Sequence, residues 1–145
     1  MAKKFTIAKS TYILKKYNSM FDDLLEQYHM TQIEVDTLLF LANNPEYNHA
    51  KDIVEIRGIS KAHVSIAIDK LVKKGLLERL CDPDNRRCNL LKLTFSSKDI
   101  VKTLQERQKL FFQYAYKDFS QDEEDMYDQL VERIYENLRE MKSHE

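Results

Sequence analysis

The chain has 145 residues, the length of one domain, with 32% charged residues, and its longest apolar run, Leu38 to Ala42, is far too short to span a bilayer. Two Gly and two Pro leave few backbone breaks, which excludes barrels, sandwiches, disordered linkers and any glycine-rich phosphate loop. Net charge is −1, yet residues 59–94 hold eight Lys and Arg against four Asp and Glu, a local basic island that suits either a phosphate-binding surface or a solvated face.

The predicted elements follow in order. Ile13, Leu14, Tyr17, Met20, Phe21, Leu24, Leu25 and Tyr28 recur at three- and four-residue spacing, an amphipathic helix that ends near His29. Thr31 with Glu34 forms a capping box, so a new helix starts there and stops at Asn43-Asn44-Pro45. Asn48 or His49 opens a short helix that Gly58 ends. Ser60 is the next N-cap, and that helix runs to Lys74 with Gly75 as its stop.

The period then changes. Residues 76–81 and 89–94 are short and apolar-rich, and the polar run Asp82-Pro83-Asp84-Asn85-Arg86-Arg87 lies between them, which reads as a β-hairpin with a charged tip. A helix starts near Ser97, and Ser120 with Glu123 caps a last one carrying Tyr127, Leu130, Val131, Ile134, Leu138 and Met141. The expected fold is mainly α with a small β-hairpin, a winged helix-turn-helix flanked by N- and C-terminal dimerisation helices. Residues 1–145 read as a single domain, with 31–94 the winged-helix module and 1–30 and 95–145 the helical dimerisation region. Three apolar stripes outside the module predict a C2 homodimer.

The run Leu71-Val72-Lys73-Lys74-Gly75-Leu76-Leu77-Glu78-Arg79, then Asp82 to Arg87, then Leu91-Lys92-Leu93-Thr94 resembles the MarR family of bacterial transcriptional regulators, the multiple-antibiotic-resistance type. The family's wing reads approximately R-x-x-D-x-x-D-R-R-x-x-x-L-x-L-T, and Arg79, Asp82, Arg86, Arg87, Leu91, Leu93 and Thr94 fall on it. The resemblance implies a homodimeric DNA-binding repressor or activator, often released by small aromatic or other ligands. It implies that helix 60–74 enters the major groove and a wing Arg the minor groove. Asn85 departs from the acidic residue that commonly precedes the paired Arg, and Ile66 stands where many members carry Arg.

In helix 60–74, Val64, Ile68 and Leu71 make the inward stripe, which leaves Ser60, Lys61, Ala62, His63, Ser65, Ile66 and Lys70 as the expected DNA-facing set. Lys61 suits guanine or phosphate, His63 and Ser65 can donate or accept, and Ala62 and Ile66 can meet a thymine methyl. Lys70, Lys73 and Lys74 are assigned to phosphate or solvent. Arg87, then Arg86, suits a narrow minor groove, where negative potential is enhanced. Asn48, His49 and Lys51 stand where a helix N-terminus meets phosphate.

Tyr12, Tyr17, Phe21, Tyr28, Phe40 and Phe111 allow a pocket for a small aromatic ligand, although core packing is the more economical reading of such a stripe. Cys81 and Cys88 bracket the tip and, if a hairpin sets them opposite one another, lie within disulfide reach; two small apolar residues in a reducing compartment is the favoured reading. Lys9 and Lys15 interrupt any secretory signal, so a cytoplasmic protein is expected. His29, His49, His63 and His144 lack ligand spacing, so no metal or other cofactor is expected. No catalytic motif appears, which argues against an enzyme. The expected function is a DNA-binding transcriptional regulator, a repressor on an inverted-repeat operator; a winged-helix module that binds protein instead of DNA is the alternative.

Overall fold

The computed structural model describes residues 3–141, without the side chains of residues 3–6, Arg86 and Cys88; His144 lies outside the described residues. The helices are α1 (Lys3–Ser19), α2 (Asp22–Tyr28), α3 (Gln32–Asn43), α4 (Ala50–Arg57), α5 (Lys61–Lys73), α6 (Lys98–Ala115) and α7 (Gln121–Glu140). Strands β1 (Leu77–Asp82) and β2 (Asn85–Leu93) lie between α5 and a short 3₁₀ turn, Phe95–Ser97. The chain packs as two units, Met1–Lys109 and Leu110–Glu145. Among the described residues no helix is long and apolar enough to cross a membrane.

Side-chain caps set most boundaries. Thr31 Oγ1 accepts from the Glu34 N–H while Glu34 accepts from the Thr31 N–H, so two otherwise unpaired donors are satisfied at the head of α3. Ser120 and Glu123 repeat this at α7. Ser60 Oγ accepts from the His63 N–H at the head of α5. Gly58 ends α4 with φ 66°, a left-handed conformation that a Cβ makes costly. At the end of α5 the Leu76 N–H reaches the Leu71 carbonyl and the Gly75 N–H that of Val72, the paired bonds of a Schellman motif.

The first predicted helix is in fact two. The apolar period runs unbroken from Ile13 to Tyr28 with no Gly or Pro to mark a stop, yet α1 ends at Ser19. The turn is closed by bonds from the Met20 and Phe21 N–H groups to Tyr17 and Asn18. Phe21 is buried outright at this corner, together with Leu24, Val35, Leu38, Ile53, Val64, Ile68, Leu71, Leu77 and Leu104. Core burial of this kind contributes roughly 1.5–3 kcal/mol per large apolar side chain, enough to favour the bend over a straight helix.

The hairpin pairs Leu77 with Leu93 and continues to Cys81 with Asn89; a bulge then sets Asp82 against Asn85. Asp82 Oδ1 accepts from the Asp84 N–H, and Asn85 Oδ1 from the Arg87 N–H, so the turn is tight around Pro83 and Asp84. Two expectations change. Arg86 and Arg87 belong to β2, not to the tip, because the side chains of Asp82 and Asn85 close the turn before them. The register sets Cys81 against Asn89 and not against Cys88; the side chain of Cys88 lies outside the described residues.

Candidate nucleic-acid interface

The inward stripe of α5 is buried as expected: Val64, Ala67, Ile68 and Leu71 are all within 3% exposure and anchor the helix to α3 and α4. Its opposite side, with Lys61, Ala62, His63, Ser65, Ile66 and Lys70, is open to solvent together with the N-cap Ser60. Ile66 is 52% exposed, an apolar side chain presented to solvent on this face. His63 Nδ1 lies 2.8 Å from Ser60 Oγ, so the two polar groups at the head of α5 hold one another.

Lys61 and Ser65 also line a groove of about 460 Å³ between α5, the head of α4 and the wing, with His49, Lys51, Arg79 and Arg87. Five of the expected residues thus meet there, while Ala62, His63, Ile66 and Lys70 do not line it. Asn48 contributes through its backbone: its carbonyl accepts from the Leu91 N–H at 2.8 Å, which lashes the head of α4 to β2. Glu55 is the acidic member of the groove. The side chain of Arg86 lies outside the described residues.

Three residues have roles that sequence reasoning assigned differently or missed. Lys74 does not face phosphate: its Nζ is 2.7 Å from Glu34 Oε1 and 2.6 Å from the His29 carbonyl, because α5 ends against the head of α3. Burial of Glu34 opposes its ionisation, but the bonds from Lys74 and Thr31 outweigh it and hold the carboxyl below its ordinary value. Arg79 lines the groove and is ion-paired to Asp69 of α5; the first Arg of the wing motif was the available signal. His49 caps α4 with its backbone N–H on Asp52, and its Nε2 lies 2.8 Å from Asp82 Oδ2. No local pattern announces that pair across 33 residues.

Of the six aromatic residues considered for a ligand pocket, Tyr17 and Phe40 line a recess of about 290 Å³ with Asp36, Tyr47, Arg57 and Gln108. Gln108 donates to Tyr17 Oη, and Arg57 pairs with Asp36 at 3.2 Å. Phe21 is core, Tyr28 is half-buried against it, and Tyr12 is exposed. Phe111 belongs to the second unit, where its ring meets that of Phe112 edge-on. Among the described residues no group of three or more His, Cys, Asp and Glu is placed to hold a metal ion.

Residues 29–87, which contain α3, α4, α5 and most of the wing, match the model of the MarR family. The match is confined to the winged-helix module and covers less than half of the chain. MarR proteins are transcription regulators, not enzymes. The chain is similar in structure to a MarR family transcriptional regulator from Listeria monocytogenes complexed with a 26mer DNA, with TM-score 0.81, 18% identity, and coverage of 96% of this chain and 97% of that one. It is similar to a MarR transcriptional regulator from Methanosarcina mazei Go1, with TM-score 0.76, 18% identity, and coverage of 96% and 100%. It is also similar to wild-type MarR from E. coli in its apo form, with TM-score 0.62, 19% identity, and coverage of 88% and 93%. At these identities the likeness establishes a shared MarR fold over nearly the whole chain. Comparison with curated protein sequences gives no significant match.

Proposed function

We propose that the chain is a homodimeric DNA-binding transcriptional regulator, a repressor that reads an inverted-repeat operator. The observation that carries this is the exposed face of α5 continuing into a groove where Lys51, Lys61, Arg79 and Arg87 converge. A helix presenting Lys61, His63 and Ser65 from its first two turns has the form of a major-groove reader. Arg87, on the strand that leaves the tight turn, is the residue assigned to the minor groove. The listerial relative that carries this fold was crystallised with DNA.

The second copy is inferred from α7. None of its residues is buried, and Met126, Tyr127, Leu130, Val131, Ile134 and Leu138 expose 43–59% of their surfaces. An apolar stripe of that length in water is an interface that lacks its partner. The recess at Tyr17 and Phe40 is the place for a small effector, with Arg57 and Gln108 as its polar contacts. Binding of a mixed-sequence duplex across a salt series tests the central proposal. Phosphate contacts make affinity fall steeply with salt, whereas affinity insensitive to salt would overturn a DNA-binding reading and favour a protein-binding winged helix.

A further inference from the structure

Among the described residues, polar bonds tie the hairpin to the rest of the module at several levels, with Arg79 of β1 paired to Asp69 of α5. Thr94 Oγ1 on the Gly75 carbonyl secures its base, and the Asn48 carbonyl on Leu91 secures the middle of β2. Near the turn, where the groove-lining Arg87 leaves β2, the side-chain link to the helices is His49 Nε2 on Asp82 Oδ2 at 2.8 Å. The other ring nitrogen, Nδ1, is 3.6 Å from Asp52 Oδ2. One imidazole therefore stands between a carboxylate on α4 and one at the end of β1. The other charged groups around it are Lys51 and Glu55 of α4, Lys61 of α5, Arg79 of β1 and Arg87 of β2.

We infer that His49 is a positioning residue for the wing, and that its protonation tightens the joint to Asp82 and, with it, the binding of DNA; this rests on the DNA-binding reading above. A neutral imidazole has one N–H, so one of the two carboxylates faces a lone pair. An imidazolium carries a proton on both nitrogens: the Nε2 bond to Asp82 becomes charge-assisted, and Nδ1, 3.6 Å from Asp52 Oδ2, adds an ion pair and not a second hydrogen bond. It also brings a positive charge into a groove assigned to phosphate. Asp82 is suited to the role: the bond from His49, then that from the Asp84 N–H, hold its carboxyl below the ordinary aspartate value, so it stays ionised throughout the histidine range.

The sign follows. Lower pH charges His49, locks the wing and strengthens binding; higher pH releases it. His63, bonded to Ser60 on the DNA-facing helix, is a second imidazole in the interface, so the comparison is made with His63→Gln in every protein. Affinity for a fluorescent mixed-sequence duplex at low salt is measured from about pH 8 to about pH 6. Affinity is expected to rise by about fivefold with His49 present, the factor for one bond becoming charge-assisted. The rise should vanish in His49→Gln, whose amide can still donate to Asp82 but cannot titrate. Asp82→Asn should flatten the profile as well. An unchanged slope in both variants, or a flat profile with His49 present, overturns the inference. A second readout needs no DNA: amide hydrogen exchange at Asp84 and Arg87 in the free protein should slow as pH falls, after correction for intrinsic exchange, and this slowing should be absent in His49→Gln. If no duplex binds at any pH, the DNA-binding reading fails, and the exchange profile alone decides whether His49 governs the wing.

Discussion

Lys74→Met tests whether α5 is fixed at its C-terminal end as the structure shows. Lys74 Nζ bonds Glu34, whose side chain is 1% exposed, while the lysine itself is 31% exposed. Removing one partner of a buried pair costs about 3–5 kcal/mol when the remaining charge is stranded. Here Thr31 keeps its two bonds to Glu34, at 2.8 and 2.9 Å, and water reaches the lysine side, so the expected loss is about 2 kcal/mol. Urea unfolding at neutral pH measures it. The pH dependence has a definite sign. The Glu34 carboxyl is held below its ordinary value, so its stabilisation is complete above about pH 4.3 and is lost as pH falls through the lowered value. Without Lys74, burial is left to raise that value, so the deficit of Lys74→Met should shrink as acid protonates Glu34. The double variant with Glu34→Gln, which keeps the cap geometry but no charge, should be less impaired than Lys74→Met alone. A loss under about 0.5 kcal/mol, typical of a surface site, would refute the buried-pair argument, as would a deficit that does not change with pH.

Three further outcomes are expected. Arg87→Ala should weaken duplex binding: loss of a phosphate contact lowers the salt slope by about one unit for all sequences, while loss of a minor-groove contact depends on A·T content, and unchanged affinity for every duplex would remove this residue from the mechanism. His63→Ala and Ser65→Ala, compared across single-base operator variants, should lose discrimination at one or two base pairs, by less than the roughly 1–3 kcal/mol of a bidentate contact; a uniform loss would make them positioning contacts only. Leu130→Glu with Ile134→Glu on α7 should shift the protein from two chains to one in solution-size measurements at micromolar concentration, and a wild-type protein that already runs as one chain would contradict the homodimer.

The parts of the fold written in local signals were legible in the sequence. Thr31 with Glu34, Ser60, Ser120 with Glu123, and Gly58 each satisfy or free backbone groups within a few residues, so their spacing is enough to place helix ends. The corner at Met20 and Phe21 was not legible, because the bend is set by Phe21 entering a core assembled from distant elements, with no Gly or Pro to mark it. The same reason hid Lys74 on Glu34 and His49 on Asp82: both are tertiary pairs 40 and 33 residues apart. On α5 the outward face was readable from helical period alone. Whether Arg86 and Arg87 belong to the turn or the strand was not, since it depends on the Asp82 and Asn85 side chains closing the turn early.

Selection of bound fragments from a random duplex pool is the most direct test of a symmetric DNA-binding regulator. An enriched inverted repeat, with half-sites about one helical turn apart or a multiple of it, is the expected result. Recovery of no sequence above background, or of a single asymmetric site, would contradict it.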